Sequence, residues 1–133
     1  MQLPDVLVFT NTRTRKVEFR VYADATGATV HITADPASSV ELWKSAPLIV
    51  VVEDMATTVT ASNLPTTERC GQAVLLTSDN DLNTAAETGR AVGASYICHH
   101  PVGVAWLLSQ MMHAAYRGAD ARQLIADAQT TGN

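Results

Sequence analysis

Apolar residues along this chain fall into short β-branched runs separated by stretches of helical period. The clearest run lies in Pro47–Asp54, PLIVVVED, where Leu48 to Val52 are unbroken and then give way to two carboxylates. Without polar alternation, such a run reads as a strand covered on both faces, the habit of parallel sheets under helices. Asp5–Thr10 (DVLVFT), Ala28–Ala34 (ATVHITA), Gln72–Thr77 (QAVLLT) and Ser95–His99 (SYICH) read as four more strands.

The segments between them carry helix signals. Thr12 or Thr14 can cap a helix running to about Ala25, with Gly27 as its stop. Val17, Val21 and Ala25 fit one helical face, while Val17, Phe19 and Val21 also alternate as in a strand. Helix is the favoured reading of Lys16–Tyr22, with strand as the alternative. Asp35-Pro36 punctuates the chain before a short helix through Val40, Leu42 and Trp43, capped by Ser38 or Ser39. Met55–Asn63 reads as a weak helix or an irregular connection, ended by Pro65. Ser78-Asp79-Asn80-Asp81 is a cap cluster opening a helix along Leu82, Ala85, Ala86 and Val92, weakened by Gly89 and closed by Gly93. After Pro101-Val102-Gly103 comes the strongest helix, with Val104, Leu107, Leu108, Met111, Met112 and Ala115 as its apolar stripe. Gly118 is expected to interrupt it. Asp120–Gln129 then forms a polar segment anchored by Leu124 and Ile125, and the last four residues read as the start of a linker.

Strand and helix thus alternate five times. Short connections of this kind imply right-handed crossovers and helices on both faces of a parallel sheet. The expected fold is α/β, a three-layer flavodoxin-like arrangement with a five-stranded parallel sheet in the order 2-1-3-4-5. The expected division is 1–118 for the domain and 119–133 for a C-terminal helix or linker.

Composition narrows the function. The chain has 133 residues, 47% of them hydrophobic, with a net charge of -4 and a pI of about 5.4. That balance argues against a nucleic-acid or anionic-membrane surface. Arg13, Arg15, Lys16 and Arg20 are the local exception, read as the solvated face of a helix in preference to a phosphate-binding patch. No secretory leader and no apolar run of bilayer length is read, so a cytoplasmic location is expected. Cys70 and Cys98 would start one strand and end its neighbour, too far apart for a disulfide.

In open α/β sheets, chemistry sits beyond the carboxyl ends of the strands, which singles out Glu53 and Asp54. Only one of two successive strand-end acids is expected to face such a site; Asp54 is the better aligned, with Glu53 as the alternative. Cys98, His99 and His100 are of metal-binding type, but neighbours on a strand point to opposite faces, so no metal site is expected. Ser78-Asp79-Asn80 lacks the G-x-S-x-G elbow of a nucleophilic serine. No phosphate-binding loop is present, and no cofactor is expected.

GASYICHHPVG, with Gly93, Ala94, Tyr96 and Pro101, resembles the closing motif of response-regulator receiver domains over about Pro4 to Tyr116. By that resemblance, Glu53 and Asp54 fall where receivers carry the phosphoacceptor aspartate, and Thr77 where they carry the switch hydroxyl. The departures are specific. The acidic pair that holds Mg²⁺ in receivers is replaced by Thr10, Asn11 and Thr12, and the lysine before the proline is His100, a mostly neutral group at pH 7. Two remaining carboxylates make a poor Mg²⁺ site, and an acyl phosphate would lack a fixed cation. The opening LPDVLVFTN (Leu3–Asn11), VHITADP (Val30–Pro36), the run Trp43–Leu48 and Gly93–Val102 are similar to the N-terminal domains of actinobacterial septum-site-determining and CpaE-like proteins. In those, a degenerate receiver-like module precedes a MinD/ParA-type ATPase.

The resemblance implies a non-enzymatic pseudo-receiver acting through a protein partner or an attached ATPase, in division or pilus assembly. Its degenerate pocket would comprise Glu53, Asp54, Thr77, His100 and Asn11. Its interaction face would carry Tyr96, Trp106 and Gln110, with Trp106 exposed and homodimerisation through that face an open alternative. A phosphoaccepting receiver and a small flavodoxin-like enzyme are the competing readings.

Overall fold

The computed structural model describes residues 3–65 and 69–131, those beyond 117 by their backbone alone. Strands β1 (Val6–Phe9), β2 (Val30–Thr33), β3 (Leu48–Val52), β4 (Gln72–Thr77) and β5 (Tyr96–His99) form one parallel sheet in the order β2-β1-β3-β4-β5. This is the expected flavodoxin-like order. Between and after the strands run α1 (Arg13–Thr26), α2 (Val40–Ser45), α3 (Ala56–Ala61), α4 (Leu82–Ala91) and α5 (Val104–Thr131). Turns of 3-10 helix, Ala37–Ser39 and Glu53–Met55, lead into α2 and α3.

The sheet separates two apolar layers. On one side Val6, Val8, Val50, Val52, Val74 and Leu76 meet Phe19 of α1 and Leu107, Met111 and Ala114 of α5. On the other, Leu7, Phe9, Ile49, Val51 and Leu75 meet Trp43, Met55, Val59 and Val92. Alternate residues of the same strands feed opposite layers, which is why β1 and β3 carry no polar positions. Each fully buried Val, Leu or Phe is worth about 1.5–3 kcal/mol, so the central strands carry much of the hydrophobic stabilisation.

Lys16–Tyr22 is helical, and Gly27 closes α1 in the left-handed region at φ 75. The core-facing residue is Phe19, supported by an edge-on Tyr22 ring 5.3 Å away. Val17, Val21 and Ala25 do share a face, but it is the solvent face, with Val17 and Val21 at least half exposed. Thr12 is the N-cap residue by position but makes no side-chain capping bond, and neither does Ser39 before α2. α4 is capped by Asp81, whose carboxylate accepts from the Asn83 and Thr84 amides.

Three further expectations need correction. The helical backbone of α5 runs through Gly118 without a break. The buried stripe of α5 is Leu107, Met111 and Ala114, one turn apart, which leaves Met112 exposed. Trp106 is half buried rather than exposed, because its ring packs against that of Tyr96 at 5.5 Å and against the core layer. The side chains of Leu124 and Ile125 and the end of the tail lie outside the described residues.

Candidate functional site

The loop after β1, the first turns of α1, the end of β3 and His100 just after β5 line an open cleft of about 400 Å³. Both acids after β3 line it, contrary to the expectation that only one would. The chain leaves β3 directly into a 3-10 turn at Glu53, and the two-residue alternation of a strand no longer applies there.

The two carboxylates serve different loops. Asp54 accepts from the Thr10 hydroxyl at 2.9 Å and from the Asn11 amide at 2.7 Å. Asn11 thus contributes its backbone, and its own residue is exposed. Thr10 is wholly buried at the end of β1, and its oxygen is also approached by Thr12. Glu53 accepts from the Thr77 hydroxyl at 2.6 Å and from the Ser78 amide at 3.2 Å. Thr77 is buried, and its oxygen in turn accepts from the Asp79 amide at 3.0 Å.

A third carboxylate enters from α1. Glu18 receives Nη1 of Arg15 on both oxygens, at 3.1 and 2.9 Å, and its Oε2 lies 3.3 Å from Nε2 of His100. Nη2 of Arg15 reaches across to the Ser78 hydroxyl at 3.1 Å. His100 lines the cleft, and its ion-pair partner is Glu18 and not an acid of β3. Tyr22 closes the group with its hydroxyl 3.5 Å from Glu18. Burial first, then the neighbouring Glu18 charge, raises the Tyr22 phenol above its ordinary value.

Sequence reading missed Arg15 and Glu18. The sequence reads Arg15 with Arg13, Lys16 and Arg20 as a solvated face, yet its side chain is only 14% exposed. The available signal was its spacing: Arg15, Glu18 and Tyr22 recur at helical intervals on the side of α1 that turns toward the sheet.

Other candidates separate from this cleft. Cys98 is buried, and burial pushes its thiol up; Cys70 is exposed, and both are free thiols. Among the described residues no group of three His, Cys, Asp or Glu side chains is placed to hold a metal ion. Tyr96 is exposed on β5, where it and Trp106 form a continuous aromatic pair, and Gln110 lies half buried one turn further along α5. No helix among the described residues is long and apolar enough to cross a membrane.

The arrangement matches known domains in shape. A signal receiver domain of an HD domain-containing protein from Pseudomonas fluorescens superposes with a TM-score of 0.59 at 17% identity, covering 88% of this chain and 98% of that one. A putative CpaE2 pilus assembly protein from Sinorhizobium meliloti gives 0.55 at 18% identity, covering 84% and 98%. The receiver domain of a sensor histidine kinase from Pseudomonas aeruginosa, solved with magnesium coordinated in its active-site cleft, gives 0.57 at 14% identity, covering 83% and 98%. At these identities the likeness establishes the fold. No curated protein sequence matches the chain. The family model of the Rv3660c-like, CheY-like N-terminal domain matches residues 9–123, and the chain belongs to that family of receiver-like domains.

Proposed function

We propose that this domain is a pseudo-receiver, a non-catalytic module that regulates or positions a MinD/ParA-type ATPase, attached or in trans, through protein contact. One observation carries the reading. The acids at the phosphoacceptor position are engaged by the loops around them, Asp54 by Thr10 and Asn11 and Glu53 by Thr77 and Ser78. Thr10, Asn11 and Thr12 supply no carboxylate where Mg²⁺ would need one. The degenerate pocket then consists of Glu53, Asp54, Thr77, His100 and the Asn11 backbone. The interaction face is the aromatic patch of Tyr96 and Trp106 with Gln110. Residues 1–118 act as the receiver-like unit, and 119–133 as its C-terminal helix or linker. The fold likeness to a putative CpaE2 pilus assembly protein agrees with the pilus-assembly side of this reading.

Arg15 favours a second reading. It is a fixed cation lining the cleft, of the kind an acyl phosphate requires. Incubation with acetyl phosphate and Mg²⁺, followed by intact-protein mass measurement, separates the two. The pseudo-receiver reading expects no phosphoryl adduct. A stoichiometric adduct abolished by Asp54→Asn or Glu53→Gln would establish a working acceptor instead.

A further inference from the structure

Ser78, the first residue after β4, is gripped from two sides. Its amide donates to Glu53 of the β3 end, and its hydroxyl receives Arg15 of α1. Ser78 itself is exposed, so each grip rests on how firmly its partner is held. Arg15 is oriented by both oxygens of Glu18, which also meets His100. Thr77 is fixed as well, because its hydroxyl donates to Glu53 while accepting the Asp79 amide. Asp79 next accepts the Asp81 amide at 2.9 Å, and Asp81 caps α4. An unbroken series of hydrogen bonds therefore runs from Glu53 to the first turn of α4.

We propose that Glu53 and Arg15 form a built-in latch on Ser78 that holds the β4–α4 loop and the start of α4 in one position with no covalent modification. The chemistry supports permanence. Hydrogen bonds to a charged partner are roughly twice as strong as neutral ones. A hydroxyl whose donor and acceptor sides are both used, as at Thr77, is held in a single orientation. Asp54 bonds to a different loop, so the latch belongs to Glu53 and not to the acidic pair as a unit. The inference deepens the pseudo-receiver reading and takes its regulatory meaning from it: the surface beside α4 is set by the sequence and not by a signal.

Amide hydrogen exchange on the full chain tests this, comparing the wild type with Glu53→Ala and Glu53→Met. The Ser78 and Asp79 amides are expected to be protected in the wild type and to exchange on the order of tenfold faster in Glu53→Ala, while Asn11 changes by less than about twofold. If the alanine variant does not fold, Glu53→Met, which keeps the bulk and removes the oxygen acceptors, decides by the same ratio. Free exchange at Ser78 in the wild type overturns the latch, as does equal acceleration at Ser78 and Asn11. A wild-type spectrum unresponsive to Mg²⁺ and an acyl-phosphate mimic, together with an unprotected Ser78, would remove the latch and leave the pseudo-receiver reading intact. A responsive spectrum would remove that reading by itself.

Discussion

Single residues decide how this site differs from its sequence description. Glu53, Asp54, Thr77 and His100 were legible because each sits at a strand end, and strand ends in a parallel sheet are positioned by topology. Arg15 and Glu18 were not legible, because a charged residue on a helix declares neither face until the neighbouring strand is placed. Gly71 is similarly silent in the sequence. A Cβ there would collide with the carbonyl oxygens of Pro47 and Ala46, both backbone atoms that cannot move aside cheaply. Gly71→Ala is therefore expected to cost about 2–3 kcal/mol, read as a lowered urea midpoint. By contrast, Glu18→Gln touches a partly exposed pair and should change stability by less than about 1 kcal/mol. Its visible effect should be at the His100 ring, in the shifts of its imidazole protons.

The central strands show their identity at the level of whole elements. β3 and β4 have the bounds that their apolar runs imply, because burial on both faces leaves no room for polar punctuation. α1 was ambiguous for the opposite reason. Its valines alternate with charges, and only the tertiary context shows that Phe19 is the buried anchor. Phe19→Ala is expected to cost about 3–5 kcal/mol, whereas Val17→Ala and Val21→Ala should stay within about 0.5 kcal/mol. Denaturant melts of the three variants check this ordering. α4 depends on its cap. The Thr84 hydroxyl, and then the Thr84 and Asn83 amides, hold the Asp81 carboxyl below its ordinary value. A depressed carboxylate stabilises fully above the unfolded value and loses that contribution as pH falls through the folded one. Helix protection at Asn83 and Thr84 should therefore decline from about pH 4 downward in amide exchange. In Asp81→Ala that decline should be absent.

At the scale of the whole molecule, alternation of strands and helices was enough to give the order β2-β1-β3-β4-β5, since handedness and short connections leave few alternatives. The two layers also fix the chemistry of the thiols. Cys98 lies inside the α1–α5 layer and Cys70 on the surface. A thiol reagent should label one cysteine quickly in the native protein and the second only after denaturation. The proposed partner surface was less legible. Trp106 lies at the margin of a helical stripe, where sequence cannot separate a core residue from a contact residue. Its packing against Tyr96 makes the pair a reporter of that face. The most direct measurement of the central claim is an amide NMR spectrum of the full chain with and without Mg²⁺ and beryllofluoride, an acyl-phosphate mimic. The pseudo-receiver account expects the signals of Asn11, Glu53, Asp54, Thr77 and His100 to stay in place. Saturable shifts at those residues that spread to Trp106 would contradict it and show a working phosphoswitch.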